Sequence, residues 1–452
     1  MMKMLRKFNC LSYWNKVASR SVVVTVMLLA AAASGWAQQT PLGEVFTIAE
    51  GLAVATNDGR VMKIAAQNID ISEKEADVAM AVLLPSINAE ISEGFLQHKP
   101  TAIFSTQRVP MANRDSFSYG VNIKQTLYNF GANTSSYKAA LEARESAKVD
   151  YERIRNLTAL EFILGCYEVL EYDKMIDVSQ MEIDRIGLHL KVAHELFKEG
   201  AITKNDLLQA EVRLADGKQT LLNFKNLRMI SASKLNNMLL RPLMADVSIA
   251  EPAEAVPEHI EIAQYQEMAQ NQRPEVQIID HELQILTLQE QIKFSEYLPS
   301  FYTMGGYNYT ENDYQVYERS WSLILGAKLN LYSGGSTKAE LSKLRLKKGR
   351  VTEQRKKLLD NIALEIERYY LSVKTASEKL LVVKDSVAQA EENLKINRTR
   401  YENGQGTATD VIDAITLLTH TQVNYYSALY EQRRAYAGLV YSSGTDLKEQ
   451  FK

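Results

Sequence analysis

Asp410 and Asp413 stand three residues apart, directly after the turn Tyr401-Glu402-Asn403-Gly404-Gln405-Gly406-Thr407. On a helix that spacing puts both carboxylates one face-step apart, and copies of the pair gathered around a common axis would have raised proton affinity and would attract cations. Asp410 has a second reading: Thr407, three residues before it, makes a capping-box variant, and Thr203 with Asp206 repeats the pattern. Capping accounts for Asp206 and for part of Asp410. Asp413 lies a full turn inside the helix, and its counterpart in the earlier stretch is Gln209.

Enzyme chemistry finds little support. The histidines are His98, His189, His194, His259, His281 and His420, and no two have the four-residue spacing of a helical metal pair. Ser333-Gly334-Gly335-Ser336-Thr337-Lys338 holds phosphate-loop letters in the wrong order and reads as a strand-to-helix turn. Cys166 is alone on a predicted helix and reads as a packed small residue, so the expectation is no catalysis, no cofactor and no metal. Of the two cysteines, Cys10 lies in the leader, which leaves no internal disulfide in the mature chain and no cysteine for a lipid anchor. A formal charge of −3 over 452 residues argues against nucleic acid as a partner.

The elements that must hold the two carboxylates are long. From Leu359 the positions Ile362, Ile366, Tyr369, Val373, Ala376, Leu380, Val383, Val387, Ala390 and Leu394 follow in steps of three and four, a heptad seam. Residues 335–402 carry no proline, and a helix of that length is about 100 Å long at ~1.5 Å per residue. The same pattern occurs 204 positions earlier. Leu331-Tyr332 matches Leu127-Tyr128, Gly335 matches Gly131, Gly404 matches Gly200, Thr407 matches Thr203, and Asp410 matches Asp206. Leu298-Pro299-Ser300 answers Leu84-Pro85-Ser86 at an offset of 214 instead, so the difference is assigned to a loop between these landmarks. A tandem duplication follows. The expected plan is a signal peptide over 1–37, a first repeat over 38–241, a linker over 242–257, a second repeat over 258–444 and a disordered tail over 445–452. Helical hairpins are expected over 131–239 and 335–441.

The signal peptide rests on Lys3, Arg6, Lys7, Lys16 and Arg20 ahead of an apolar run over 21–33, with Gly35-Trp36-Ala37 as the cleavage site. Period-two alternation marks four strands, 86–95, 116–127, 300–309 and 320–331, each with one apolar face and one polar face. Their length fits a membrane-spanning β-strand, and Tyr302, Tyr307, Tyr309, Tyr314, Tyr317 and Trp321 cluster near the strand ends. A soluble sheet with one buried face would alternate in the same way. Export, the lack of an apolar helix of spanning length and the great helix length favour the membrane. Four strands cannot close a barrel, and open edges are not tolerated in lipid, so several chains must share one.

Together these features resemble the TolC family of outer-membrane efflux and secretion channels across essentially the whole mature chain. The most specific element is Tyr401, Gly404, Thr407, Asp410, Val411, Asp413 and Ala414, beside the junctions Leu127-Tyr128-Asn129-Phe130-Gly131 and Leu331-Tyr332-Ser333-Gly334-Gly335. The resemblance implies a mainly α fold with a small β part, in which duplicated hairpins build an α-barrel and three chains close a twelve-stranded β-barrel in outer-membrane lipid. It implies a homotrimer that works with a periplasmic adaptor and an inner-membrane transporter of RND or ABC type. Asp410 and Asp413 would line the channel constriction, six carboxylates around one axis. Phe197, Gly200, Thr203, Asp206, Tyr401, Gly404 and Thr407 would form the turns where the adaptor docks. Some members carry an arginine two residues after the glycine, in a latch that closes the tip; here that position is Gly406. The competing class is an exported coiled-coil scaffold or adhesion protein with soluble sheets, which cell fractionation distinguishes.

Overall fold

The computed structural model describes residues 45–252 and 256–451. The expected signal peptide lies outside the described residues. In chain order the elements are β1 (Val45–Phe46), α1 (Ile48–Asp58), α2 (Arg60–Ala81), β2 (Ser86–Phe95), β3 (Thr101–Phe104), β4 (Gln107–Pro110), β5 (Asp115–Tyr128), α3 (Ala132–Lys198) and α4 (Lys204–Met238). They continue with β6 (Ser248–Ile249), α5 (Ile262–Gln272), α6 (Pro274–Phe294), β7 (Ser300–Thr310), β8 (Arg319–Lys328), α7 (Ser336–Glu402), α8 (Ala408–Ser442) and α9 (Leu447–Gln450).

The duplication is metrically regular: α3 and α7 each have 67 residues, and α4 and α8 each have 35. Each long helix leaves its strand through two consecutive left-handed residues, Phe130 (φ 51°) and Gly131 (φ 86°) in one copy, Gly334 (φ 64°) and Gly335 (φ 81°) in the other. All eleven seam residues of α7 are buried or half-buried, as a helix packed along its whole length requires. Two close approaches fix the spacing of neighbouring helices. A Cβ at Gly438 of α8 would sit 2.2 Å from the Tyr369 ring of α7, and one at Gly165 of α3 would sit 2.9 Å from Leu235 of α4.

β2, β5, β7 and β8 form one antiparallel sheet in that order. Its register carries the alternation from strand to strand. Ala89, Val121, Tyr307 and Trp321 make one cross-strand row and Ile87, Ile123, Gly305 and Leu323 another, both on the apolar face. On the opposite face Asn88, Asn122, Gly306 and Ser322 line up, followed by Glu90, Gly120, Asn308 and Ser320. Among the described residues nothing packs on the apolar face: Ile91 is 73% exposed, Trp321 79% and Leu325 74%. Among the described residues no helix is long and apolar enough to cross a membrane.

Several expectations are corrected. The chain has more than four strands. The loop holding Pro100 and Pro110 folds as the β3–β4 hairpin, which turns at the left-handed Ser105, and β1 pairs in parallel with β6 inside the expected linker. That hairpin lies between the two landmarks where the extra residues of the first repeat were assigned. The last strand ends at Lys328 instead of 331. Of the aromatic residues near the strand ends, Tyr302 lies opposite Gly326, whose missing Cβ leaves room for its ring, and Tyr307 lies opposite Trp321 on the other face. The tail is ordered through Phe451. Asp446 caps α9 and pairs with Arg155 at 2.8 Å, and Leu447 is fully buried.

A candidate duct entrance at the hairpin tips

Both helical hairpins turn in the same way. α3 ends in a Schellman arrangement in which Ala201 N donates to Leu196 O (2.8 Å) and Gly200 N to Phe197 O (3.0 Å). At the end of α7, Gln405 N donates to Arg400 O (2.8 Å) and Gly404 N to Tyr401 O (3.0 Å). The pattern needs a left-handed residue at its centre, and Gly200 (φ 73°) and Gly404 (φ 72°) supply it. Three residues on, the return helix starts with a reciprocal cap. Thr203 N donates to Asp206 Oδ2 (3.0 Å) and Asp206 N to Thr203 Oγ1 (3.4 Å); in the second tip Thr407 N donates to Asp410 Oδ2 (2.9 Å) and Asp410 N to Thr407 Oγ1 (3.1 Å).

Asp410 therefore caps its helix and still presents its carboxylate to solvent. The hydrogen bonds from Thr407, backbone first, hold its carboxyl below the usual carboxylate range, so it stays ionised. Asp413 is exposed and takes no part in the cap. Its counterpart Gln209 serves a different purpose, because Gln209 Oε1 accepts from Thr409 Oγ1 (3.3 Å) and ties the two tips together. Gly406 packs tightly, since a Cβ there would stand 3.2 Å from Tyr401 N.

Tyr401 is central to the tip core, where it packs with Ile186, Ala408, Val411 and Ile415. Its ring lies 5.0 Å from that of His189, centroid to centroid. Burial, then the charge of Asp206, pushes the phenol up, so it is a neutral donor. Burial, then Arg398, pushes the His189 imidazole down, so it is neutral too. Phe197 is exposed beside the first turn. The predicted turn residues thus gather at one end of the long helices, at two linked tips. Sequence reasoning missed His189 and its neighbours Arg185 and Arg398. Its test for histidines was a metal spacing, and what distinguishes His189 is burial against a residue 212 positions away.

A one-sidedly apolar sheet with unpaired edges, set on paired helical hairpins that end in capped acidic tips, defines the class as a sheet-anchored helical duct. The family model described as outer membrane efflux protein matches residues 55–239 and 266–445, and the chain belongs to that family of channels. Its sequence is 23% identical over 436 residues to the outer membrane protein TolC of Vibrio cholerae, spanning 92% of this chain and 92% of that protein. The fold superposes on the CmeC outer membrane channel of Campylobacter jejuni with a TM-score of 0.77 at 15% identity, over 88% of this chain and 85% of that one. It superposes on a membrane protein of Pseudomonas aeruginosa with a TM-score of 0.78 at 15% identity, over 89% and 91% of the two chains. The protein is an outer-membrane exit duct that reaches across the periplasm.

Proposed function

We propose that the working unit is a homotrimer in which three four-stranded sheets close a twelve-stranded barrel and the hairpins close a tube below it. One observation carries this reading. The sheet leaves β2 and β8 unpaired at its two edges while its apolar face is bare, a combination that lipid does not tolerate in a single chain. The strands alternate in direction, so β8 of one copy meets β2 of the next antiparallel, as within the sheet. The helices support the same closure. Leu208, Leu222 and Met229 on α4, and Leu364 and Leu371 on α7, are exposed at heptad steps, which makes second seams outside those filled within the chain.

In that assembly Asp410 and Asp413 line the constriction, and the turns at Phe197, Gly200, Thr203, Asp206, Tyr401, Gly404 and Thr407 meet a periplasmic adaptor. The energy for export comes from an inner-membrane transporter of RND or ABC type, and the duct itself is passive and not an enzyme. Without an arginine at Gly406, closure of the tip rests on contacts other than the latch known from some relatives. The test is purification from outer membranes in detergent with light scattering. A mass of three chains that persists on mild heating, together with single-channel conductance in planar bilayers, is the expected result; a detergent-free monomer from the periplasm overturns the reading and returns the scaffold alternative.

A further inference from the structure

We propose that the cavity between α3 and the α7–α8 hairpin, just above the tip, is a binding site for an amphipathic organic anion: a flat apolar body carrying a carboxylate or sulfonate. The cavity measures about 490 Å³, within the range of small-molecule sites. Its floor is Leu394, Val411, Ile415 and Leu418, and His189 and Tyr401 stand at its wall.

Two features distinguish it. His189 and Tyr401 are 6% and 4% exposed, and His189 Nε2 and Tyr401 Oη are buried without a hydrogen-bond partner. Buried polar atoms are ordinarily satisfied, so two without partners among the described residues mark this wall as incompletely packed. The second feature is charge. Arg185, Lys395 and Arg398 line the cavity against Glu391 and Glu402, and α8 contributes no ionisable side chain to it. Arg398 is paired with Glu402 (3.0 Å), and Lys395 with Glu392 (3.3 Å). Arg185 makes no ion pair among the described residues; its hydrogen bond goes to Gln422 Oε1 at 3.5 Å. Burial lowers its proton affinity, and the nearby charges of Glu391 and Glu182 partly restore it, so the guanidinium is half-buried with neither carboxylate within ion-pair distance.

An anion's head group meets the Arg185 fork, which suits a carboxylate or sulfonate. The apolar body lies on the floor of Leu394, Val411, Ile415 and Leu418, with the Tyr401 and His189 rings at its wall. Such a ligand touches both hairpins of one chain and ties their relative position at the tip.

The experiment uses the full chain in lipid nanodiscs and isothermal titration with 2-naphthoate and its uncharged counterpart 2-naphthamide, with empty discs subtracted. Expected is saturable binding of one naphthoate per chain, at least tenfold tighter than naphthamide. R185Q removes that preference. E391Q, which deletes the nearby negative charge, tightens naphthoate severalfold. L394W, which fills the floor, abolishes binding of both compounds, and unchanged melting curves certify that the variants are folded. Equal affinity for the two compounds, no saturable binding, or binding that R185Q and L394W leave intact overturns the site. No current is read, so the site can fail while the duct reading stands.

Discussion

At the residue scale, the tips depend on a few short hydrogen bonds whose loss has predictable size. Thr407→Ala removes the side-chain acceptor for Asp410 N and costs about 1 kcal/mol of local stability. Amide exchange at residues 408–411 speeds up accordingly, while exchange in the middle of α8 does not. His189 gives the tip a pH dependence of definite sign. Its folded proton affinity lies below the ordinary value of 6.5, so the unfolded chain takes up the proton first. The contribution is fully present above that pH and is lost as pH falls from 6.5 towards the folded value, by at most about 1.4 kcal/mol per pH unit. Local unfolding near Ile186 and Tyr401, followed by exchange between pH 7 and pH 5, shows the trend, and His189→Gln flattens it. The caps were legible in sequence because a Thr-x-x-Asp pattern is local. The environment of His189 was not, because it depends on a partner helix two hundred residues on.

At the element scale, the two helices of each long hairpin are held at fixed spacing by a glycine that admits an aromatic ring in one and a leucine in the other. Gly438→Ala drives a methyl into the Tyr369 ring, and the overpacking is worth ~1 to 3 kcal/mol against a helix-propensity gain of up to about 1 kcal/mol. The expected net result is a lower melting temperature, and Tyr369→Leu in the same chain restores part of it by clearing the space. A Gly438→Ala variant that melts at or above the parent temperature shows that the α7–α8 contact is looser than described. The helix lengths, the turn positions and the faces of the four long strands were readable from period and proline placement. The β1–β6 pair and the β3–β4 hairpin were not, since two- to four-residue strands are too short to show a period. The ordered tail escaped for a similar reason: its last residues look polar, and only the hollow that receives Leu447 makes it fold back.

At the scale of the whole molecule, the proposed trimer gathers the two exposed aspartates of each tip around one axis. Asp410→Asn with Asp413→Asn removes six negative charges per trimer. Block by multivalent cations in planar bilayers then weakens, and so does its sensitivity to ionic strength, because screening acts over about 8 Å in physiological salt. Unchanged block in the double variant removes both residues from the constriction. Asn at 410 also loses the ionised cap, so Asp413→Asn alone is the cleaner arm; it leaves the capping box untouched.

The duplication, the hairpin lengths, the capped turns and the two-faced strands can be read from the order of amino acids alone. All of these are written in local spacing, and backbone geometry converts spacing into shape without help from distant residues. The strand order β2-β5-β7-β8, the union of the tips through Gln209 and Thr409, and the cavity that Arg185, His189 and Tyr401 line together emerge only when the chain is folded. These depend on which surfaces meet across hundreds of residues, and a pattern that repeats every two or three and a half positions carries no record of its partner.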